Sequence, residues 1–174
     1  MLLLLIRHAP AGSHSEWLQT GRPDSERPLT VDGREKMRLA APALPGLVPK
    51  IDVLATSPFA RAYQTAEIVG KAYTELAPTV VDALASGGDR SELLDWVRGH
   101  RPGATLALTG HNPDLEEFAA WMLAARDHPF VRLRKGSAAL IQFDAAPVPG
   151  GGVLQWLLDP GQMREIVLGR SRSA

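Results

Sequence analysis

One stretch decides the fold of this 174-residue chain: Leu2-Leu-Leu-Leu-Ile-Arg7-His8-Ala-Pro-Ala-Gly12. Its five apolar residues run without interruption into an arginine and a histidine, and proline and glycine then break the chain. A short apolar run closed by turn formers is typical of a central strand that is buried on both faces. In open parallel sheets the chemistry collects beyond the carboxyl ends of the strands. Arg7 and His8 stand at such an end.

The adjacent arginine and histidine form a pair whose chemistry points to phosphate. A positive charge beside His8 disfavours a second one, so the pKa of this imidazole is predicted to be lowered. A neutral imidazole is a nucleophile, and a guanidinium binds phosphate through two hydrogen bonds. The pair predicts attack on a phosphoryl group, provided that other strand ends supply more positive groups. Alone, such a pair is more often a capping or surface pair.

The overall composition is that of an ordinary globular protein. Nineteen basic residues balance nineteen acidic ones, so no overall field attracts nucleic acid or an anionic membrane, and an anion site must be local. The chain has no cysteine, which excludes disulfides and thiolate metal sites. The leucine run is too short for a signal sequence or a membrane span. We expect a cytoplasmic protein with one domain over residues 1–174.

Three further histidines show no helical pairing with other metal ligands: His14, His100 and His128. No metal site and no cofactor are therefore expected.

The rest of the chain alternates between predicted strands and helices. Strands are predicted at residues 51–56, 79–81, 104–109, 138–143 and 153–158. Helices are predicted from the Thr30 cap to Ala41, at 58–73, 91–98 and 113–125, and from 160, with a loop at 13–28 and a frayed end at 169–174. Pro42 and Pro45 are expected to end the first helix. This order predicts a single α/β domain of three layers, αβα, whose mostly parallel sheet has an antiparallel C-terminal edge.

Two more junctions between strand and helix carry chemical groups. Ser57-Pro58 is a strong helix start, and Arg61 follows one turn later, close to the positive end of the helix dipole. Gly110-His111 follows another strand in the same way. Right-handed crossovers bring such junctions to one edge of a parallel sheet, beside the arginine and histidine of the first strand. The sequence therefore predicts an anion site with two arginines, two histidines and two helix N-termini.

The motifs at these junctions resemble those of the histidine phosphatase (phosphoglycerate-mutase-like) superfamily. That family has Arg-His-Gly after the first strand, Ser-Pro-x-x-Arg-Ala-x-x-Thr-Ala after the second, and Gly-His after a later one. The corresponding segments here are Arg7-His8-Ala9, Ser57-Pro-Phe-Ala-Arg61-Ala-Tyr-Gln-Thr65-Ala66, Gly110-His111 and, for a further family segment, Arg27-Pro-Leu-Thr-Val-Asp-Gly33. Lys135-Gly136 and Pro160-Gly-Gln-Met-Arg164 resemble the short SixA-type phosphohistidine phosphatases.

The resemblance implies a role for each residue of the predicted site. His8 is expected to be the nucleophile that becomes phosphorylated, and Arg7, Arg61 and His111 are expected to bind the phosphoryl oxygens. Arg27 is expected at the rim of the pocket. The implied activity is a phosphatase that needs no metal or cofactor. Its partner is a phosphorylated protein, carrying phosphohistidine, or a small phosphorylated metabolite.

Two departures from the family pattern bear on the activity. Ala9 replaces a glycine and adds a methyl group where the backbone is expected to approach the phosphate. Larger relatives carry a carboxylate general acid after the third strand, and here the nearest candidates, Asp82 and Asp89, sit in no clear motif. Imidazole leaves with less help than an alkoxide, which favours phosphohistidine over a sugar phosphate.

Two alternatives to a phosphohistidine phosphatase stay open. One is a small-molecule phosphomonoesterase on the same scaffold. The other is a catalytically weak pseudophosphatase that binds a phosphorylated partner, and Ala9 is its motivation.

Overall fold

The structure, a computed structural model, describes residues 1–171. One sheet contains the strands β1 (Leu2–Arg7), β2 (Val53–Thr56), β3 (Pro78–Val80), β4 (Thr105–Gly110), β5 (Ala138–Gln142) and β6 (Val153–Leu158). The helices are α1 (His14–Leu18), α2 (Val31–Ala40), α3 (Leu44–Leu47), α4 (Ala60–Ala72), α5 (Arg90–Arg98), α6 (Asp114–Ala124) and α7 (Pro160–Ser171). The prediction of a frayed end from residue 169 is wrong for residues 169–171, which belong to α7. Residues 172–174 lie outside the described residues.

The sheet has the strand order β3-β2-β4-β1-β5-β6. Strand β1 lies inside it, parallel to β4 and antiparallel to β5. Strands β2, β3 and β4 are parallel to one another, whereas β6 pairs antiparallel with β5. The predicted mostly parallel sheet with an antiparallel C-terminal edge is confirmed.

Strand β1 separates two hydrophobic cores, because alternate side chains of a strand point to opposite faces. Leu3 and Leu5 belong to the core that includes residues of α5 and α6. Leu4 and Ile6 belong to the core formed with α2, α4 and α7. All four side chains are fully buried. Helices therefore cover both faces of the sheet, which confirms the three-layer αβα architecture.

The helix after β2 begins later than predicted. Ser57 and Pro58 were expected to cap and open it, but α4 starts at Ala60 with Phe59 at the cap position. The Ser57 hydroxyl instead accepts a hydrogen bond from the Phe59 backbone N–H at 3.2 Å. It therefore stabilises the turn that leads into the helix, and its other partner lies in the site described below.

The helices α5 and α6 also start elsewhere than predicted. Asp89 caps α5, because its carboxylate accepts from the N–H groups of Ser91 and Glu92 at 2.6 and 3.3 Å. Helix α6 starts at Asp114, and Asn112 does not cap it. The Asn112 side chain donates instead to the Leu133 carbonyl at 3.0 Å.

Two segments contain more helix than the sequence predicted. Residues 13–28 hold α1 and a 3-10 turn at Asp24–Glu26 instead of an open loop. The chain also stays helical past Pro42 and Pro45, through a 3-10 turn at Ala41–Ala43 and then α3. Each proline lies in the first turn of its segment, where a missing N–H costs no hydrogen bond.

No helix among residues 1–171 is long and apolar enough to cross a lipid bilayer.

Candidate active site

The junctions singled out in the sequence meet at one edge of the sheet. The backbone N–H of His8 donates to the Gly110 carbonyl at 3.0 Å. The N–H of Ser57 donates to the Thr109 carbonyl at 2.9 Å. These bonds extend the parallel pairing of β1 and β2 with β4 by one residue beyond the strands. The residues that follow β1, β2 and β4 are thus held side by side.

A cavity of about 310 Å³ opens at this edge. It is lined by the five predicted site residues, Arg7, His8, Arg27, Arg61 and His111, and by further residues that include His14, Ser86, Asn112 and Lys135. No carboxylate is among its lining residues in the described part of the chain. Nor do residues 1–171 contain a cluster of three or more His, Cys, Asp or Glu side chains that could hold a metal ion.

The His8 ring is held in one tautomer by the backbone. Its Nδ1 atom lies 2.8 Å from the Ala9 carbonyl oxygen, which only accepts hydrogen bonds, so Nδ1 carries the hydrogen. In the neutral ring the lone pair is then on Nε2. Burial, with the charges of Arg61 and Arg7, lowers the pKa of His8 to about 4, although the bond to Ala9 opposes this. The direction is the one predicted, but burial and not the neighbouring arginine is the largest cause.

His111 lies beside His8 and is also held neutral. The two ring centroids are 5.2 Å apart, and the His111 side chain is only 2% exposed. Its Nε2 atom lies 2.8 Å from the Ser57 hydroxyl oxygen. Burial first, and then the charges of Arg61 and His8, lower the pKa of His111 to about 3. Its Nδ1 atom is buried and has no hydrogen-bond partner within residues 1–171.

Arg61 is connected to the loop between β1 and α2 through Asp24. The Arg61 guanidinium is 4% exposed, and its Nη1 atom lies 3.0 Å from both the carbonyl oxygen and a carboxylate oxygen of Asp24. The other carboxylate oxygen accepts from Arg27 Nε at 2.8 Å and lies 2.9 Å from His14 Nδ1. Burial raises the pKa of Asp24, but hydrogen bonds from Arg27 and His14 and the charge of Arg61 outweigh it and lower the pKa. Asp24 is therefore a carboxylate at neutral pH.

Arg7 is held by the chain that precedes β5. Its Nη1 atom donates to the Leu133 carbonyl at 2.7 Å, and the same carbonyl accepts from Asn112. The Nε atom is buried without a hydrogen-bond partner in the described chain. Burial lowers the pKa of Arg7, and the charge of Glu116 partly restores it. One face of this guanidinium is thus fixed by the protein while the residue still lines the cavity.

Lys135 is a cavity residue to which the sequence assigned no role. The turn that carries it depends on Gly136, which has a φ of +81° and whose N–H lies 3.1 Å from the carbonyl oxygens of both Arg7 and His8. This turn places Lys135 beside the arginines. Burial, followed by the charges of those arginines, lowers the pKa of the Lys135 ammonium group. In the sequence, only the Lys-Gly pair before a strand indicated that Lys135 belongs to the site.

Ala9 does not face the cavity. It is 1% exposed and belongs to the core on the α2 and α4 side of the sheet. Its N–H donates to the Thr65 hydroxyl at 3.0 Å, which connects the turn after β1 to α4. The methyl group is therefore part of the packing beneath the site, and it takes no space from a ligand.

The two carboxylates considered as general acids lie outside the cavity. Asp82 is exposed at the start of a 3-10 turn, and Asp89 is exposed at the cap of α5. Ser86, between them, is the residue of this segment that lines the cavity. Asp24 and His14 are the groups that the sequence analysis missed, since the 13–28 segment was interpreted as an open loop.

The chain matches the model of the histidine phosphatase superfamily (branch 1) over residues 3–86. An uncharacterized protein of Picosynechococcus sp. is 32% identical over 150 residues, which cover 85% of this chain and 88% of that protein. The chain belongs to the histidine phosphatase superfamily, and this membership supports a phosphatase activity.

Within this superfamily the similarity is to SixA-type proteins. A structure of the protein histidine phosphatase SixA complexed with tungstate is 26% identical, with a TM-score of 0.76 over 92% of this chain and 98% of that one. A putative phosphohistidine phosphatase SixA from Nakamurella multipartitia is also 26% identical, with a TM-score of 0.73 over 91% and 95% of the two chains. A phosphoserine phosphatase mutant of Entamoeba histolytica in complex with phosphoserine, at 15% identity and a TM-score of 0.67 over 92% and 98%, shares the fold alone.

Proposed function

We propose that this phosphatase hydrolyses protein phosphohistidine through a phosphorylated intermediate on His8, without a metal ion or cofactor. The observation that carries the proposal is the Nδ1 contact of His8 with the Ala9 carbonyl at 2.8 Å. It leaves the lone pair of a neutral, buried ring on Nε2, in a cavity that is also lined by Arg7 and Arg61. A nucleophile in cationic surroundings suits attack on a phosphoryl group.

The proposed reaction has two displacements at phosphorus. In the first, His8 Nε2 forms a bond to phosphorus, and the bond to the leaving group breaks with its electron pair. In the second, water attacks the phosphohistidine, and the electron pair of the P–N bond returns to Nε2. Arg7, Arg61 and His111 stabilise the charge on the phosphoryl oxygens in both steps. Arg27 acts at the rim, where it holds the Asp24 carboxylate.

The groups that a leaving group would meet support this substrate class. No carboxylate lines the cavity within the described chain, and a departing imidazole requires less protonation than an alkoxide. The similar SixA structure is described as that of a protein histidine phosphatase. The proposal takes residues 1–174 as one domain whose partner is a phosphorylated protein in the cytoplasm. It includes no membrane or nucleic-acid partner.

A small phosphorylated metabolite is the second candidate substrate. Lys135 favours it, because this ammonium group adds a cation to a cavity that Arg7 and Arg61 also line. A ligand with a second anionic group would use it. The hypothesis of a pseudophosphatase rested on Ala9. The methyl group of Ala9 lies in the core, so it does not support that hypothesis.

The test is to trap the intermediate. A peptide that carries radiolabelled phosphohistidine is mixed with the protein and quenched in base within seconds. We expect one acid-labile, base-stable phosphate per chain, located by mass spectrometry at His8 and formed equally in the presence of a metal chelator. His8→Ala is expected to lose the label and roughly 10³-fold or more of the turnover, because the bond-forming atom is gone. It should still bind inorganic phosphate.

Three results would contradict parts of this proposal. Label on His111, with His8→Ala still active, would reverse the assignment of the nucleophile. Turnover without any label would mean direct attack by water. Faster turnover of phosphate esters than of the phosphohistidine peptide would identify the metabolite class as the substrate.

A further inference from the structure

We infer that His14 is a catalytic residue of the same reaction: its imidazolium protonates the departing group, and its neutral form then takes a proton from the attacking water. The inference rests on the proposed function and supplies an acid and a base to a cavity that no carboxylate lines within the described chain. It is carried by the position of His14 in the wall of the cavity and by the contact of its ring with the Asp24 carboxylate.

The His14 ring is oriented as a proton donor. Its Nδ1 atom lies 2.9 Å from Asp24 Oδ1, and a carboxylate only accepts, so Nδ1 carries a hydrogen. Nε2 is then the ring atom that can exchange a proton with a ligand. The carboxylate also fixes the orientation of the ring, as the acidic partner of a catalytic histidine does. The His14 side chain is 58% exposed, so it can exchange protons with water between turnovers.

Asp24 connects this proton donor to the groups that bind phosphate. The same carboxylate contacts Arg61 Nη1 at 3.0 Å and Arg27 Nε at 2.8 Å. A shift of Asp24 would therefore move the donor and the phosphate-binding arginines together. This is the arrangement that a leaving-group acid requires, because the donor must keep its place relative to the bound phosphoryl group.

The short helix α1 holds His14 in place. Ser13 caps it, the Trp17 N–H donates to the Ser13 carbonyl at 3.0 Å, and the Trp17 ring N–H donates to the Pro23 carbonyl at 3.0 Å. The last bond ties α1 to the turn that carries Asp24. The position of His14 relative to Asp24 therefore depends on the bond from Trp17 to Pro23 as well as on their own contact.

The proton balance of the reaction shows what His14 would do. When the bond from phosphorus to the leaving group breaks, the departing group keeps the electron pair and accepts the proton from His14 Nε2. When water attacks the phosphohistidine, His14 recovers a proton from that water, and His8 Nε2 regains its electron pair. The carboxylates Asp82 and Asp89 lie outside the cavity, so neither competes for this role. An imidazole is well matched to proton transfer near neutral pH.

The test compares two leaving groups. The parent chain, His14→Gln and a matched control, His128→Gln, are assayed with phenyl phosphate and 4-nitrophenyl phosphate. His128 is exposed and does not line the cavity. Phenolate needs a proton to leave far more than nitrophenolate does. We expect His14→Gln to lower kcat/KM, which reports the transfer to His8 and not the later attack of water, by roughly 10²-fold for phenyl phosphate and by less than about tenfold for 4-nitrophenyl phosphate. The control should match the parent chain on both.

The possible failures are distinguishable. An equal loss of kcat/KM on both esters, or no loss on either, would overturn the role of His14 and leave the proposed function standing. Glutamine is similar to histidine in size and has an amide N–H that can donate to Asp24, so a merely structural role predicts one of these two results. If the parent chain turns over neither ester, the phosphohistidine peptide is assayed with the same variants. A loss of kcat/KM in His14→Gln but not in His128→Gln would support the role of His14, an equal rate in all three chains would overturn that role alone, and no hydrolysis of the peptide by the parent chain would overturn both proposals.

Discussion

Ala9 shows at the scale of one residue how a change in a catalytic motif can be a matter of packing. Its methyl group is buried in the core on the α2 and α4 side, and its N–H donates to Thr65. Its φ angle is not in the positive range that favours glycine. Nothing at this position therefore requires a glycine, and the alanine contributes buried apolar surface.

Ala9→Gly is expected to lower stability and leave chemistry unchanged. The loss of one buried methyl group and the added backbone freedom together cost about 1–2 kcal/mol of the free energy of unfolding. Urea unfolding measures this cost, with Ala145→Gly in an exposed loop as the control. Turnover should stay within about twofold of the parent chain, since the methyl group is outside the cavity. A large gain in activity would mean that the methyl group obstructs the site after all.

The protonation state of His8 could be predicted from the sequence only in its direction. The neighbouring Arg7 is visible in the sequence, and its charge does lower the pKa of His8. The larger cause is burial, which depends on helices and turns from distant parts of the chain. The tautomer depends on the Ala9 carbonyl, whose position is set by the turn after β1.

At the scale of elements, helix α2 packs directly on the turn that follows β1. Thr30 caps α2 by accepting from the Gly33 N–H at 2.9 Å, and its own N–H donates to the Pro10 carbonyl at 3.1 Å. A Cβ atom on Gly33 would overlap that same Pro10 carbonyl. The segment from Arg27 to Gly33, which resembles a family motif, thus provides the contact between α2 and the backbone of Pro10, two residues after His8.

Gly33→Ala is expected to destabilise the fold and disturb the site together. The overlap with backbone forces α2 or the turn to move, at a cost of about 1–3 kcal/mol in the free energy of unfolding. Turnover should fall as well, because the turn also orients His8. Gly169→Ala in α7 is the control, since a Cβ atom there meets no heavy atom within 4 Å. Unchanged stability of Gly33→Ala would show that α2 does not press on this turn.

The elements themselves were largely predictable, and the connections between them were not. The apolar strands and the order of helices follow from local pattern, as the confirmed sheet shows. The contact between His14 and Asp24 joins α1 to a 3-10 turn within a segment whose prolines and glycine suggest an open loop. This segment is held by contacts with Arg61 and Arg27, and these contacts leave no periodic pattern in the sequence.

At the scale of the whole molecule, the two buried histidines couple stability to pH. The pKa values of His8 and His111 are lowered from 6.5 to about 4 and about 3 in the folded protein. Between these values and 6.5 the unfolded chain binds more protons than the folded one, so the free energy of unfolding falls as the pH falls. The stability is fully present above pH 6.5 and is lost on the way down to the folded pKa values.

Urea unfolding at pH 7, 5.5 and 4 is expected to show this loss. Each histidine contributes on the order of 3 kcal/mol between pH 7 and pH 4. A double variant, His8→Gln with His111→Gln, should flatten this part of the profile and keep the steeper loss at lower pH. That loss comes from Asp24 and Asp52, whose pKa values are also lowered. A parent protein equally stable at pH 7 and pH 4 would contradict the burial of neutral rings.

The cavity with its four cationic side chains has one more consequence, which concerns what happens after the chemistry. Arg7, Arg27, Arg61 and Lys135 surround a space near which Asp24, beside Arg61 and Arg27, and Glu116, acting on Arg7, supply counter-charges. Inorganic phosphate is a small dianion that such a space attracts, and it is also what every phosphatase releases. We therefore expect the product to compete with the substrate for this site. By mass action, the melting temperature of the protein is expected to rise with the phosphate concentration of the buffer. Other salts screen the charges and are expected to weaken the binding of both substrate and phosphate.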